Sequence, residues 1–391
     1  MKIKILSLAI LSGLTALIYS GINRNQGDLA EASYQVRENK SNSASAQGAV
    51  EYWKSIRGSV ENGEVKEEDY NLVIAQIENK RASRAGGIGL EFEPIGPTNI
   101  GGRTRGLVVD MDDPEIIIAA SVTGGVFRSL NGGNTWTTSF GTEKTLTTSY
   151  LTQGPDGAVY LATGASSFEL AGSSDNGNST PKEPGIGIMK SIDQGLTWTL
   201  LESTEVAGTD QRFRTINEVK VSPIDAKIIA VATYRGLQLS FDGGLTWIDN
   251  FICVGGSGTP PFVGDINSLE FSLDGKMLWV GSDDGRFFYL DDISATNTCG
   301  FVRAEVADGW VTGSNRMKLS ASVINPLKVY AALTDAGDVL INIIESVDGG
   351  KTFKTINPNV PRSNPNFDIF GNSQAWYDLL FKVVPNTVDS T

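Results

Sequence analysis

From residue 92 onward, apolar and polar positions alternate with the two-residue period of a β-strand. The alternation comes in units. Each unit has an alternating strand, a short turn that often contains proline or glycine, a strongly apolar strand, a glycine turn and a third strand. We predict the first strands of these units at 104–109, 147–153, 216–221, 266–271 and 317–321, and the second strands at 116–121, 159–163, 228–233, 277–281 and 329–333.

The third strand of four units ends in the same turn, which we call the box turn. Its pattern is Ser-x-Asp-x-Gly-x-Thr-aromatic, at 129–136, 191–198, 240–247 and 346–353. The side chain in the Asp place can accept hydrogen bonds from nearby backbone N–H groups, and the glycine in the fifth place adopts positive φ at no steric cost. We therefore predict a self-capped turn that leads into a fourth strand, and a structural role for the residues in the Asp place, Asn131, Asp193, Asp242 and Asp348.

Units of four strands that recur every few tens of residues are typical of the blades of a β-propeller. We predict an all-β propeller over residues 90–391, with five complete blades and the first strand of a sixth at 376–384. One blade, between the last two box turns, has lost its box. Because an unpaired sheet edge is avoided in natural folds, we interpret the propeller as incomplete at its C-terminus. The alternatives are that 376–384 closes an earlier blade or that a partner completes the ring.

The box turn resembles the Asp-box, or bacterial neuraminidase repeat (BNR), of sialidases, sortilin-type receptors and xyloglucan hydrolases. Together with the segments 92–103 and 121–129, it makes the chain similar to secreted sortilin-like Asp-box propellers of bacteria. The resemblance extends over residues 92–391 and implies a propeller fold in which the boxes are structural.

The N-terminal part of the chain has a different composition. Residues 1–20 carry Lys2 and Lys4 before an apolar run, which predicts a signal peptide; the alternative is an uncleaved membrane anchor. The composition of residues 21–48 predicts a polar disordered spacer. Residues 49–89 are predicted to form short amphipathic helices followed by a hinge. We expect a secreted, cell-surface or periplasmic bacterial protein, in which Cys253 and Cys299 could form a disulfide.

Composition excludes several classes of function. The chain of 391 residues carries 32 Lys and Arg against 45 Asp and Glu, a net charge of −13, and no histidine. An acidic protein lacks the basic footprint that nucleic-acid binding requires. Without histidine there is no Ser-His-Asp or Cys-His catalysis and no His-ligated zinc.

Candidate ligand-binding residues lie on the propeller face opposite the box turns. Arg105, Arg214 and Arg316 stand at or near the starts of innermost strands. Three converging arginines could bind a carboxylate, as the resemblance to sialidases implies, although the Arg-Ile-Pro signature of that family is missing. The further candidates on this face are Arg103, Arg235 and Trp376.

Two observations bear on catalysis and metal binding. Xyloglucan hydrolases place a catalytic Asp in an Asp-x-Gly-Gly turn, where this chain has Val122. Asp283 and Asp284 are the remaining candidate carboxylates, with an ordinary hairpin turn as the alternative. The oxygen-rich loop 172–180 could hold Ca²⁺ or be a mobile polar loop, and we expect no other cofactor.

We predict a binding module for a glycan, peptide or protein partner on the propeller face, with membrane contact only through an uncleaved anchor. A glycoside hydrolase of sialidase-like or xyloglucanase-like type is the alternative. A purely structural module in a larger cell-surface protein is the third hypothesis.

Overall fold

The structure of the chain is a computed structural model. The expected signal peptide, the spacer and the hinge lie outside the described residues, as do the expected helices apart from Gln76, which is helical. No described helix has the length and apolar character needed to cross a membrane. The structure describes residues 76, 104–122, 125–139, 141, 147–164, 185–206, 210–249, 252, 264–294, 300–304, 308, 310, 316–335, 339–356 and 379–384.

The described part of the propeller region is all-β apart from short 3-10 segments such as Glu202–Thr204. The first and second strands of all five units are where the alternation predicts them, with ends that differ by at most one residue. The strands are β1 (Thr104–Val109), β2 (Ile117–Ser121), β3 (Gly125–Ser129), β4 (Thr137–Thr138), β5 (Thr148–Gln153), β6 (Val159–Thr163), β7 (Ile188–Ser191), β8 (Thr199–Leu200), β9 (Ile216–Val221), β10 (Ile229–Thr233), β11 (Gly236–Ser240), β12 (Ile266–Phe271), β13 (Leu278–Ser282), β14 (Phe287–Leu290), β15 (Val302–Arg303), β16 (Met317–Ala321), β17 (Val329–Thr334), β18 (Leu340–Ser346) and β19 (Lys354–Thr355).

These strands form antiparallel sheets in simple up-and-down order. Four sheets have four strands each, and the third has β9, β10 and β11 with a single bridge from Leu239 to Ile248. The first strands β1, β5, β9, β12 and β16 lie next to one another in sequence order. The fold is therefore a β-propeller whose sheets present their first strands to a common centre, and the total number of blades in the ring stays a prediction.

The cores lie between neighbouring sheets, because every sheet has two faces to bury. Ile118 and Ala120 of the first sheet pack with Leu161 of the second, and Trp279 and Phe287 of the fourth pack with residues of the fifth. Similar clusters join the second sheet to the third and the third to the fourth. The second strands β6, β10 and β13 have no exposed residue, as expected for strands covered on both faces.

The box turns hold themselves together through side-chain hydrogen bonds. In the third sheet, Ser240 Oγ donates to Asp242 Oδ1 at 2.8 Å and accepts the Gly244 N–H at 2.8 Å, while Asp242 Oδ1 accepts the Thr246 N–H at 2.9 Å. The glycine in the fifth place has positive φ in every copy, 78° to 95°. The other three copies repeat these bonds, with residues Asn131, Asp193 and Asp348 in the Asp place.

Residues 379–384, predicted as part of the first strand of a sixth blade, belong to no strand of the structure. Leu379 and Phe381 pack on Ala332 and Leu340 of the fifth sheet. The Val383 N–H is bonded to the Ser320 side-chain oxygen at 2.9 Å, so the segment is attached through a side chain rather than through a strand ladder.

Candidate functional site

The first strands line an open cavity of about 1060 Å³ at the centre of the propeller. It is lined by residues of the first strands β1, β5, β9, β12 and β16 and by residues 379–382. Ligand sites of proteins usually have volumes of roughly 300–1,000 Å³. The cavity is therefore large enough for a small molecule or for a few residues of a polymer.

Four of the five first strands that the structure describes carry a bulge near the start, and the bulged residues include Arg105 of the cavity lining. The register of β1 against β2 shifts between Thr104 and Gly106, so Arg105 is the extra residue. The corresponding shifts in β5, β9 and β12 occur at the same place in the strand, whereas β16 pairs without a shift. Bulges redirect side chains, and they are common next to functional sites.

Three cations meet at this end of the cavity, Arg105, Arg316 and Lys318, which we call the cationic end. Lys318 Nζ bonds to Glu218 Oε1 at 3.2 Å and to the Asn267 carbonyl oxygen at 2.9 Å. Burial is the main cause that lowers the pKa of Lys318 to about 8; Glu218 acts in the opposite direction, and Arg316 and Arg105 lower the pKa further. The ammonium group is therefore held in a position where positive charge is costly.

Acidic and basic side chains alternate across three neighbouring first strands. Besides the bond between Lys318 and Glu218, Lys220 Nζ bonds to Glu270 Oε2 at 2.6 Å. All four side chains are at most 18% exposed. Glu218 also accepts the Leu269 N–H at 2.5 Å, which links β9 to β12. We call these four residues the ion-pair ladder.

Burial and the charges of the ladder shift the pKa values of several groups. Burial raises the pKa of Tyr150, whose ring centre lies 5.4 Å from Lys220 Nζ, to about 12. Glu270 holds the pKa of Lys220 well above its ordinary value, although burial acts in the opposite direction. The pKa of Glu218 is lowered because Lys318 and Lys220 outweigh the effect of burial. At neutral pH Glu218 and Lys220 are therefore both charged.

One wall of the cavity is apolar. Leu107, Val109 and Met111, the residues of this apolar wall, are 60%, 49% and 67% exposed. They lie on β1 and on the turn that follows it, so the wall leads away from Arg105 toward the end of the strand. The cavity thus combines an apolar wall, a cationic end and a ladder of ion pairs.

The structure brings two of the three predicted arginines together. Arg105 and Arg316 line the cavity, and Arg214 is not among the described lining residues. Arg214 precedes β9 by two residues, and its carbonyl oxygen accepts the Gly185 N–H at 2.7 Å. Arg235 is exposed in the turn between β10 and β11, with its guanidinium 5.6 Å from the centre of the Tyr234 ring.

Asp283 and Asp284 lie in the turn between β13 and β14, and neither is among the described residues that line the cavity. Asp284 accepts the Ser282 hydroxyl at 2.5 Å and pairs with Arg286 at 3.1 Å, which are turn-forming contacts. Burial and the neighbouring Asp284 raise the pKa of Asp283. The ladder residues were not identified from sequence. The signal was the charge on alternate positions of 216–221, whose neighbours only the fold reveals.

Several sequence predictions concern residues outside the described part of the chain: Arg103, Trp376, the loop 172–180, and the disulfide between Cys253 and Cys299. Among the residues that the structure describes, no group of three or more potential metal ligands occurs.

Comparison with known proteins identifies no family. No protein-family model matches the chain, and no curated protein matches it. Solved structures do show similarity. An ancestral GH74 enzyme is 17% identical with a TM-score of 0.47, and the match covers 69% of this chain and 33% of that one. The GH74 enzyme of Niastella koreensis is 17% identical with a TM-score of 0.45, with 64% and 38% covered.

A third solved structure, that of YCF48 bound to D1 peptide, is 12% identical with a TM-score of 0.40, and the match covers 68% of this chain and 72% of that one. The chain thus spans less than half of either GH74 enzyme. Similarity at this level identifies neither a ligand nor a reaction.

Proposed function

We propose that this propeller is an exported binding module that holds a glycan, peptide or protein ligand in the central cavity. The observation that carries the proposal is the cavity itself. It combines ample volume with an apolar wall and a few placed charges, which is the usual composition of a ligand site. The similar solved structures include both GH74 enzymes and a protein bound to a peptide, so they favour neither catalysis nor binding.

The charges of the cavity favour binding over glycoside hydrolysis. Glycosidases of the retaining and inverting types use two carboxyl groups, one of which must be protonated to act as the acid. The described lining residues contain two carboxylates, Glu218 and Glu270, and both are bonded to lysines. The lowered pKa of Glu218 keeps its carboxyl ionised. Asp283 has the raised pKa of an acid, but it is not among the described lining residues.

The proposal is tested by obstructing the cavity. Leu107→Trp places a large side chain on the apolar wall, at a position that is 60% exposed. Leu130→Trp is the matched control, because Leu130 is 58% exposed in a box turn that does not line the cavity. A ligand that binds the native state raises the melting temperature.

We expect members of a glycan and peptide panel to raise the melting temperature of the wild type and of Leu130→Trp, and to have no effect on Leu107→Trp. A shift that survives in Leu107→Trp would place binding elsewhere. A panel without any shift would favour the structural module instead. Release of product from xyloglucan or a sialoside by the purified protein would contradict a purely binding role.

A further inference from the structure

One face of the first sheet is apolar and open. The core shared with the second sheet contains Val108, Ile118 and Ala120, so the residues that alternate with them lie on the opposite face. The strand registers arrange this opposite face in two rows, Leu107 with Ala119 and Phe127, and Val109 with Ile117 and Ser129. We call these two rows the open face, because Leu107 and Val109 are 60% and 49% exposed.

In other sheets the position of Leu107 is covered by the preceding sheet. Leu107 is the fourth residue of its strand, and the fourth residues of β5, β9 and β12 are Leu151, Val219 and Leu269. These three are at most 4% exposed, and each belongs to the core that joins its sheet to the sheet before it. The open face therefore has the composition of a face that is covered by another β-sheet.

The structure also indicates which sheet covers the open face. The outer face of the fifth sheet, which carries Ala332 and Ile343, is covered by Leu379 and Phe381. A head-to-tail contact between two copies would need that outer face to be free. Among the described residues, the first sheet thus has the one blade face that stays open. A single face of one kind is closed by a two-fold axis, which pairs it with the same face of a second copy.

The distribution of charge is compatible with self-pairing. A two-fold contact brings identical groups of two copies close together, and the chain has a net charge of −13. The two rows of the open face contain no ionisable side chain. The charged residues of β1 and of its turn lie beyond the two ends of the rows, with Arg105 at one end and Asp112, Asp113 and Glu115 at the other. Self-pairing therefore buries no like charges at its centre.

The size of the open face sets the expected strength of the contact. The six residues of β1 extend over about 20 Å, and the four strands of the first sheet span about 14 Å. Two such faces bury on the order of 1,000 Å² in total, which is the size of weak and reversible interfaces. The structure thus predicts a reversible contact rather than a permanent one.

We propose that the open face is a self-association surface, on which a second copy of the chain packs its own open face about a two-fold axis. Because Leu107 and Val109 also line the cavity, the second copy would close the cavity on its open side. This inference goes beyond the proposed binding function and does not depend on the identity of the ligand.

Sedimentation velocity of the full chain, without ligand, tests the proposal. We expect a monomer–dimer equilibrium with a dissociation constant of roughly 1–100 μM. Leu107→Lys should raise this constant at least about tenfold, because an apolar contact is lost and a charge is introduced twice per dimer. Val109→Lys is the second variant, with the same expected result. Both residues are exposed in the single copy, so both variants should fold.

Leu130→Lys is the matched control. Leu130 is 58% exposed and lies in a box turn outside both rows, so this variant should keep the dissociation constant of the wild type.

Three outcomes would overturn the inference. A wild type that stays monomeric at about 200 μM would leave the open face to another occupant, such as a sheet of a different chain. Association that persists in both Leu107→Lys and Val109→Lys would locate the contact elsewhere. An equal loss in Leu130→Lys would show that added charge controls association, and not the open face. Each outcome leaves the binding function to the ligand panel, which is measured separately.

Discussion

The depressed pKa of Lys318 predicts a pH dependence of stability that has an unusual direction for a lysine. The pKa is lowered from its ordinary value of 10.5 to about 8 in the folded protein. Between these values the unfolded chain binds more protons at Lys318 than the folded protein does, so stability rises with pH. The side chain is 15% exposed, so solvent screens the effect only partly.

The magnitude follows from the two pKa values. A difference of one pKa unit corresponds to about 1.36 kcal/mol. Integrating the proton uptake from about pH 7 to about pH 9.5 gives a gain of about 2 kcal/mol in the free energy of unfolding from this residue alone. The window ends below the ordinary pKa of Tyr150 and Lys220, whose folded pKa values are raised, so their contributions to stability are lost only at higher pH.

The reference is the double variant Lys318→Met/Glu218→Gln, which removes both charges of the pair and leaves no unpaired carboxylate. Urea unfolding of the wild type and of this variant at both pH values gives the contribution as a difference. Lys328→Met is the control, because the pKa of Lys328 is raised and the wild-type pH dependence should persist. The gain in the free energy of unfolding between the two pH values should be larger in the wild type than in the double variant. A difference of less than about 0.5 kcal/mol between these two gains would refute the depressed pKa.

Two matched substitutions test the packing. Gly195→Ala should cost about 2–4 kcal/mol, because φ is +78° and the new Cβ would lie 2.7 Å from the Cδ1 atom of Ile118. Gly243→Ala, with the same φ and nothing within 4 Å, should cost only about 1–2 kcal/mol in urea unfolding; equal losses would exclude the clash. Leu379→Ala should destabilise the protein by about 2 kcal/mol, because the side chain is 5% exposed, and Leu380→Ala, at 87% exposure, should be neutral in thermal unfolding. A neutral Leu379→Ala would separate residues 379–384 from the fifth sheet.

The strands and turns are predictable from sequence because local rules specify them. The two-residue alternation locates the first and second strands to within one residue, as in Ile216–Val221. The box turns follow from side-chain capping and from glycines at positive φ. Both signals are contained in a few consecutive residues, so distant contacts cannot change them much.

The composition of the site is less predictable, because periodicity shows which residues share a face and not what covers that face. Glu218 and Lys220 follow the alternation like solvent-facing residues, but the propeller places β12 and β16 against them. The arginines near the starts of the first strands show the same difficulty. Arg105 lies in a bulge of β1 and lines the cavity, whereas Arg214, two residues before β9, is not among the described lining residues.

Residues 379–384 show that a shared pattern of alternation is not sufficient to predict a strand. Their pattern matches that of β9, but a strand requires backbone partners on a neighbouring strand as well as alternation. The Val383 N–H is bonded to a side-chain oxygen of Ser320, and Lys382 reaches Glu270. The segment contributes to the cavity without being part of a sheet, which no local pattern encodes.

The ion-pair ladder is better explained by the cavity than by the stability of the ring. Buried ion pairs often contribute no more than apolar residues of the same volume, because desolvation offsets the attraction. The fifth residue of β1, which corresponds to Lys220 in β9, is the neutral and buried Val108. The bonds of the ladder join β9, β12 and β16, whereas the apolar wall lies on β1 and on the turn that follows it. An asymmetric lining that is already cross-linked favours one orientation of an amphipathic ligand and reduces the cost of ordering the site on binding.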